Sequence, residues 1–359
     1  MKITPFMGLN GFHWWQGVVE NVMDPLKIGR VQVRLFGIHS AEKIPNDSTG
    51  QGIPTAELPW AAPSSSVDSA GTSGVGTTPT GLVNGSHVWG FSRDGRDYMD
   101  LVVVGSFAGI PKFMSTGVGF EDPNSIYPTR VGESDLSRLS RGDEVGTWVE
   151  KHNKAVLDNP LFVEPKSSFA SKYPFNMVKE TRSGHTMEMD DTPNAERLAW
   201  THKTGSFREV HPTGMQSEHI QKERYSVVLG DDFMHVGGDV KIYVVGNVTQ
   251  VIEGSVTQKV YGNVEEEIKG NKTTKCTGTI NMSAAKVVIN APIETNSTIN
   301  SLGDQIAGSV STQKHTHKYF VPLHKLPKSP TDPAAGGGSA PNPPSTDVSD
   351  LPSQVPSPN

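Results

Sequence analysis

Residues 228–280 read VLGDDFMH VGGDVKIY VVGNVTQV IEGSVTQK VYGNVEEE IKGNKTTK CTGTI, and this stretch decides the fold. Glycine recurs every eight residues at Gly230, Gly238, Gly246, Gly254, Gly262, Gly270 and Gly278. Two positions before each stands Val228, Val236, Val244, Ile252, Val260, Ile268 or Cys276, and two positions after most stands Val240, Val248, Val256, Val264 or Ile280. Apolar residues an even number apart share one face of an extended strand, whereas a period of eight completes no helical stripe. The segment is therefore read as strands. A glycine followed by Asp, Asn or Ser marks a bend where a Cβ would not fit or where positive φ is required.

Eight residues are too few for one chain to wrap a core, because a strand of about five or six residues makes only one wall of a prism. Three chains, each giving one strand per turn, would close a triangular tube that takes the Val and Ile side chains inside and pairs the backbone between chains. The alternatives are a single-chain β-solenoid and a glycine-rich linker. Lys272 interrupts the apolar column, and Gln250, Gln258 and Glu266 share its even register, so a partly hydrated interior or an earlier turn stays open. Cys276, the single cysteine, excludes an intrachain disulfide and is read as a small buried hydrophobe.

Upstream, Gln16–Val22, Gly29–Leu35, Val83–Phe91 and Leu101–Gly105 alternate or run apolar between Gly, Pro and Asp breakers, which predicts a small barrel of about five strands. Ser64–Thr80 reads as a long loop, and residues 111–178 as a connector with a weakly helical patch around Glu144–Leu157. A second β-region follows, with strands at Ser183–Asp191, Arg197–Trp200 and Ser206–Val210. The composition agrees with β-structure and turns: 35% of residues are hydrophobic and 7% aromatic, with 37 Gly and 26 Pro. The formal charge of -6 offers no basic footprint for nucleic acid. No apolar run approaches a signal peptide or the ~20 residues needed to span a bilayer.

Beyond the octads, alternation continues through Ile280, Met282 and Ala284 and again from Val287 to Ile293, so the tube is expected to taper. His315 and His317 then stand two apart, ahead of a Pro/Gly/Ser-rich tail. On a strand both imidazoles project to one side, and three-fold symmetry would gather six nitrogens, a set suited to an octahedral metal such as iron. Taken alone, the pair also suits two solvated histidines, and His324 is near enough to compete.

Several stretches together resemble the central spike proteins of T-even-type contractile-tail phages. Trp15–Glu20, Met23–Arg34, Gly52–Thr55 and Leu58–Trp60 are similar to that family's OB-fold. Gly184–Thr186, Asp190–Pro193, Glu196–Arg197 and His211–Gly214 are similar to the segment leading into its triple-stranded β-helix. The ending resembles the short spikes of other contractile-tail phages, whose His-x-His pair binds iron at the apex. The resemblance implies an all-β homotrimer: OB-fold at 1–110, connector at 111–178, short β-region at 179–228, triple-stranded β-helix at 229–295 and tapered apex at 296–359. It further implies a virion baseplate location, attachment to a hub protein and tail tube, an iron ion on His315 and His317 of three chains, and a tip that pierces the host outer membrane, with or without a separate capping protein. The T-even protein carries a lysozyme domain between its OB-fold and its β-helix. Here about seventy residues separate the matching segments, so no enzyme is expected, and Glu144, Glu150 and Asp158 are read as solvated charges. A carbohydrate-active solenoid using Asp190 and Asp191 is disfavoured because adjacent strand residues face opposite ways. A receptor-binding fibre would need an aromatic-rich head, whereas this tail holds only Tyr319 and Phe320.

Overall fold

The computed structural model describes residues 13–44, 52–159, 161–300, 302, 306–307 and 310–311. Apart from one short helix and two single 3-10 turns, its regular elements are all β. None of its described helices is long and apolar enough to cross a membrane.

Five strands close the N-terminal barrel: β1 (His13–Asn21), β2 (Val31–Leu35), β3 (Trp60–Pro63), β4 (His87–Ser92) and β5 (Leu101–Phe107), in the order β1-β2-β3-β5-β4. All pairs are antiparallel except β3 with β5, and register shifts at Val19/Asn21 and Trp89/Gly90 bend the long strands around the barrel. Trp15, Val19, Val31, Val33, Leu35, Val88, Leu101 and Val103 fill the interior. Gly17 and Gly90 have no room for a side chain, because a Cβ at either would overlap the backbone oxygen of Arg34 or Val102. Strand β3 went unread in the sequence because it is short and ends in proline.

Asp24, in the stretch Met23–Arg34 singled out above, builds the β1–β2 connection. Its carboxylate accepts the N–H groups of Leu26, Ile28 and Arg30 at 3.0, 3.0 and 3.2 Å and the Arg30 guanidinium at 2.8 Å. Those donors, Arg30 foremost, hold its carboxyl well below the usual range.

A fully buried ion pair ties the barrel to its loops. Glu20 on β1 accepts Arg34 Nε of β2 at 2.6 Å and Nη2 at 3.2 Å, the Thr55 hydroxyl at 2.7 Å and the Phe120 N–H at 2.9 Å. Arg34 also donates to the Ser40 and Ile53 carbonyls at 2.8 and 2.7 Å. Every charged group in this cluster is satisfied, which is the condition for burying charge at all.

A second unit of structure follows as a five-stranded antiparallel sheet, in the order β10-β9-β8-β7-β6. Its strands are β6 (Asn176–Glu180), β7 (Thr186–Asp190), β8 (Arg197–Thr201), β9 (Phe207–Val210) and β10 (Gln216–His219). Part of the segment read as a connector covers one face of it. Helix α1 (Trp148–Lys154) buries Val149 and His152, Leu139 is buried nearby, and Trp148 packs against Phe207 at 5.0 Å between ring centres.

Between Gln221 and Asn300 the chain forms neither helix nor strand. Bends fall at 229–230, 237–238, 245–246, 253–254, 261–262, 269–270 and 277–278, each on or beside an octad glycine. Two short strands, β11 (Ile306–Ala307) and β12 (Val310–Ser311), pair later in the chain.

Replacing Glu20 by Gln leaves Arg34 buried without a counter-charge and is expected to cost the barrel about 3–5 kcal/mol, read as a lower urea midpoint. Burial pushes the Glu20 carboxyl up, but Arg34, Thr55 and the Phe120 N–H outweigh it and hold the value below the ordinary 4.5. The Glu20 contribution is therefore complete above pH 4.5 and is lost as pH falls through the lower folded value. The wild-type midpoint should drop over that acid window more steeply than that of Glu20→Gln.

Candidate functional site

Three surfaces carry the features from which function can be argued, and the octad segment comes first. In the single chain its apolar column has no cover: Val228, Val236, Val244, Ile252, Val260 and Ile268 are 45–52% exposed, while Val240, Val248, Val256, Val264 and Ile280 are 60–76% exposed. Their backbone forms no ladder with any described segment. The seven glycines are also unexplained within their own chain. None has positive φ, and a Cβ added at any of them would meet nothing within 4 Å. The bends are where the sequence places them, but the steric reason expected for glycine is not supplied by the same chain. Cys276, expected to be buried, is exposed because it stands in the same uncovered column.

The five-stranded sheet has its polarity reversed. An antiparallel sheet with one wet face ordinarily turns apolar residues inward and polar ones out. Here most inward residues are polar: Thr186, Glu188 and Asp190 on β7, Arg197 and Thr201 on β8, and Glu209 on β9, with Ala199 and Phe207 as apolar members of the same face. Arg197 bridges Glu188 and Glu209, all three wholly buried, and its guanidinium lies over the rings of Phe169 and Trp148 at 5.0 and 5.8 Å. Glu188 also accepts Trp148 Nε1 at 2.7 Å and Asn176 Nδ2 at 3.0 Å, and Glu209 accepts the Ser167 hydroxyl at 2.9 Å and the Ser168 N–H at 3.1 Å. The opposite face carries an apolar, largely exposed patch flanked by Lys179, Arg208, Gln216 and Glu218. Met177, Met189, Leu198 and Val210 align across four strands, with Met187 opposite Trp200 beside them.

The barrel bears the third surface, an aromatic patch. Trp14 sits 5.3 Å from Trp89 and 6.1 Å from Phe91, Trp89 is 6.4 Å from Phe107, and Phe36 stacks on Phe120 at 4.7 Å. Trp14, Phe36, Trp89 and Phe107, with Trp15 and Gln16, line an open depression there.

No acid–base pair emerges from the acidic residues considered in the sequence. Asp190 is buried and accepts both the N–H and the hydroxyl of Thr192, at 3.0 and 2.6 Å, whereas Asp191 is exposed on the other side. Glu150 is held by Lys154 at 2.6 Å and the Gly146 N–H at 2.7 Å, and Lys154 leads in lowering its carboxyl below the usual range. Asp158 belongs to an isolated bridge with Val163, and the Glu144 carbonyl closes a turn with Thr147. His315, His317 and His324 lie outside the described residues.

Residues 37–199 match the Gp5 N-terminal OB domain. The match begins after β2 and runs past β5, through α1, onto β8, so it includes the segment that covers the second sheet. The chain is 38% identical over 266 residues to Protein Gp5 of Vibrio phage KVP40, covering 64% of this chain and 60% of the relative. It is 41% identical over 153 residues to the pre-baseplate central spike protein Gp5 of Enterobacteria phage T4, covering 42% of this chain and 26% of the relative. Over these stretches the chain is similar to a phage central spike protein. It spans three-fifths of the length of the first of these relatives and about a quarter of the second. The closed five-stranded barrel is consistent with an OB domain, the description that the matching family model carries.

The buried Glu188–Arg197–Glu209 cluster had no clear sequence signal, since its members are spread over three strands. Changing Arg197 to Met removes the only cation bonded to both carboxylates among the described residues. The loss expected from stranding them is about 3–5 kcal/mol, visible as a lowered melting temperature of the second sheet, with the barrel transition unmoved.

Proposed function

We propose that this chain is one third of a homotrimeric central spike at the middle of a phage tail baseplate, a structural part that is driven through the host outer membrane. One observation carries the reading: a periodic apolar column, an unpaired backbone and seven glycines whose own chain gives no reason for them. Two further copies would supply what is missing in each case. Their strands would pair the backbone groups, their Val and Ile would close the interior, and their close approach at the bends would exclude a Cβ. Covering the remaining half of each Val or Ile contributes on the order of 1 kcal/mol, repeated along the column and in all three chains.

The reversed sheet supports the same reading. Its apolar face leads in sequence directly into the octads, and another copy of the chain is the partner that continues the interface of one into the other. The barrel's aromatic patch is the surface proposed to dock on the hub below the tail tube, since clustered Trp and Phe are the side chains enriched at protein interfaces. The name of the T4 relative, pre-baseplate central spike protein, sets the virion context.

The proposed role is mechanical, without muramidase activity. About seventy residues stand between the barrel and the second β-region, and Glu150 there is engaged by Lys154 and the Gly146 N–H. A closed tube with every strand paired opens only at high cost, which suits a penetrating tool. At the far end, His315 and His317 of three chains are proposed to hold an iron ion, on the strength of the donor set alone.

Native mass spectrometry of the full chain should give the mass of three copies with iron bound, and glycan-cleavage assays should show no turnover. Gly254→Ala, harmless to a lone chain, is expected to weaken the trimer and shift the mass toward monomer. A monomeric wild type, or a Gly254→Ala trimer as stable as the parent, would overturn the reading.

A further inference from the structure

Outside these surfaces, His152, Glu164 and His219 converge from three separate places in the fold: α1, the loop that follows it, and the last residue of β10. One potential ligand atom from each lies within 4.8 Å of the others. His152 and Glu164 are buried, and the His219 side chain is 24% exposed. We propose that these three side chains form a metal site that takes one zinc ion per chain.

The surroundings already hold the donors in place. Glu164 Oε1 lies 2.6 Å from His219 Nδ1, while Oε2 accepts the Leu157 N–H at 3.1 Å and fixes the carboxylate. His152 Nε2 lies 3.1 Å from the Pro165 carbonyl, a partner of the kind that orients metal-binding imidazoles. Its ring is further set edge-on against Phe207 at 4.5 Å, and the His219 ring stacks on Phe207 at 5.6 Å. Packing on both imidazoles limits the motion that would otherwise be lost on binding.

Donor chemistry selects the ion. Calcium and magnesium require shells of oxygen, whereas two imidazoles and one carboxylate suit a borderline transition ion, with zinc–ligand distances of about 2.0–2.2 Å. Tetrahedral zinc would set the donors roughly 3.4 Å apart, so the hydrogen bond between Glu164 and His219 would give way to the ion and the two would separate slightly while His152 closes in, an adjustment within reach of side-chain rotation. The fourth position has an access route. A cavity of about 310 Å³ is lined by His152, His219 and Gln221 and admits water, and Gln221 Nε2 lies 2.8 Å from His219 Nε2. Arg130, Arg138, Lys151 and Lys203 also line this cavity and disfavour weakly held hydrated cations, so a site here needs direct nitrogen coordination. Bound zinc would clamp α1 and its following loop to β10, the strand from which the chain leaves for the octads.

The test uses the full chain with His315→Ala and His317→Ala, which removes the proposed apical ligands and keeps the two sites apart. After equilibration with zinc and desalting, elemental analysis should find about one zinc per chain, and thermal unfolding should shift upward with zinc and return with chelator. Adding Glu164→Gln and His219→Ala should reduce zinc to background. His152→Gln, a milder change, should weaken binding at least tenfold while far-UV circular dichroism stays that of the parent. Cobalt in place of zinc should give the intense visible absorption of a four-coordinate site. Failure to retain zinc, unchanged zinc content in the variants, or an octahedral cobalt spectrum would overturn the proposal. None of these outcomes depends on whether the chain is a trimer.

Discussion

An unpaired backbone, with a Val/Ile column uncovered beside it, cannot be a resting state in water for a well-ordered protein. Each octad presents unmet N–H and C=O groups along its length together with apolar side chains about half or more exposed. Either feature alone is tolerable on a surface, but their repetition through seven glycine-marked bends is what the proposed trimer accounts for, through partners with the same repeat. A second and third copy of the same strand have that repeat by identity. This lack of cover, more than any local interaction, constrains what the rest of the chain can be.

The five-stranded sheet meets the same constraint by a different route. Its buried side holds Glu188, Arg197, Glu209 and Asp190 in a hydrogen-bonded network under α1 and residues 164–172, and leaves its Met, Leu and Trp residues outside. Buried charge of this kind is a poor source of stability compared with an apolar core, but it fixes one geometry because each carboxylate has named donors. The effect is to free an apolar face for contact just before the octads begin. The proposed zinc site sits under the same cover and ties that cover to the strand that leads away.

In the barrel, Glu20 and Arg34 perform the analogous task for loops. Four segments, around Ser40, Ile53, Thr55 and Phe120, hang on this one pair. Residue 120 is thereby held to the barrel although it lies beyond β5, and Phe120 in turn supports Phe36 at the edge of the aromatic patch. Buried charged groups held by several hydrogen bonds thus recur in this chain as anchors for exposed apolar surfaces.

From the sequence alone, the octad period and the bends of residues 228–280 were legible, because a period of eight is incompatible with a helix and glycine punctuates it, whereas the strands read there are not formed within the single chain. Four of the five barrel strands were legible from their apolar runs, and β7, β8 and β9 from their alternation. The opposite facing of Asp190 and Asp191 followed from strand geometry and stands in the structure. Three things needed tertiary structure. Alternation in Thr186–Asp190 says that two faces differ, but only the packing of Trp148, Phe169 and Arg197 decided that the polar face is the buried one. The octad glycines were expected to mark bends where a Cβ would not fit or positive φ is required, and neither reason is found within their own chain. The meeting of His152, Glu164 and His219 across 67 residues left no local pattern, because side chains that converge only through sheet and helix packing have no fixed spacing in sequence.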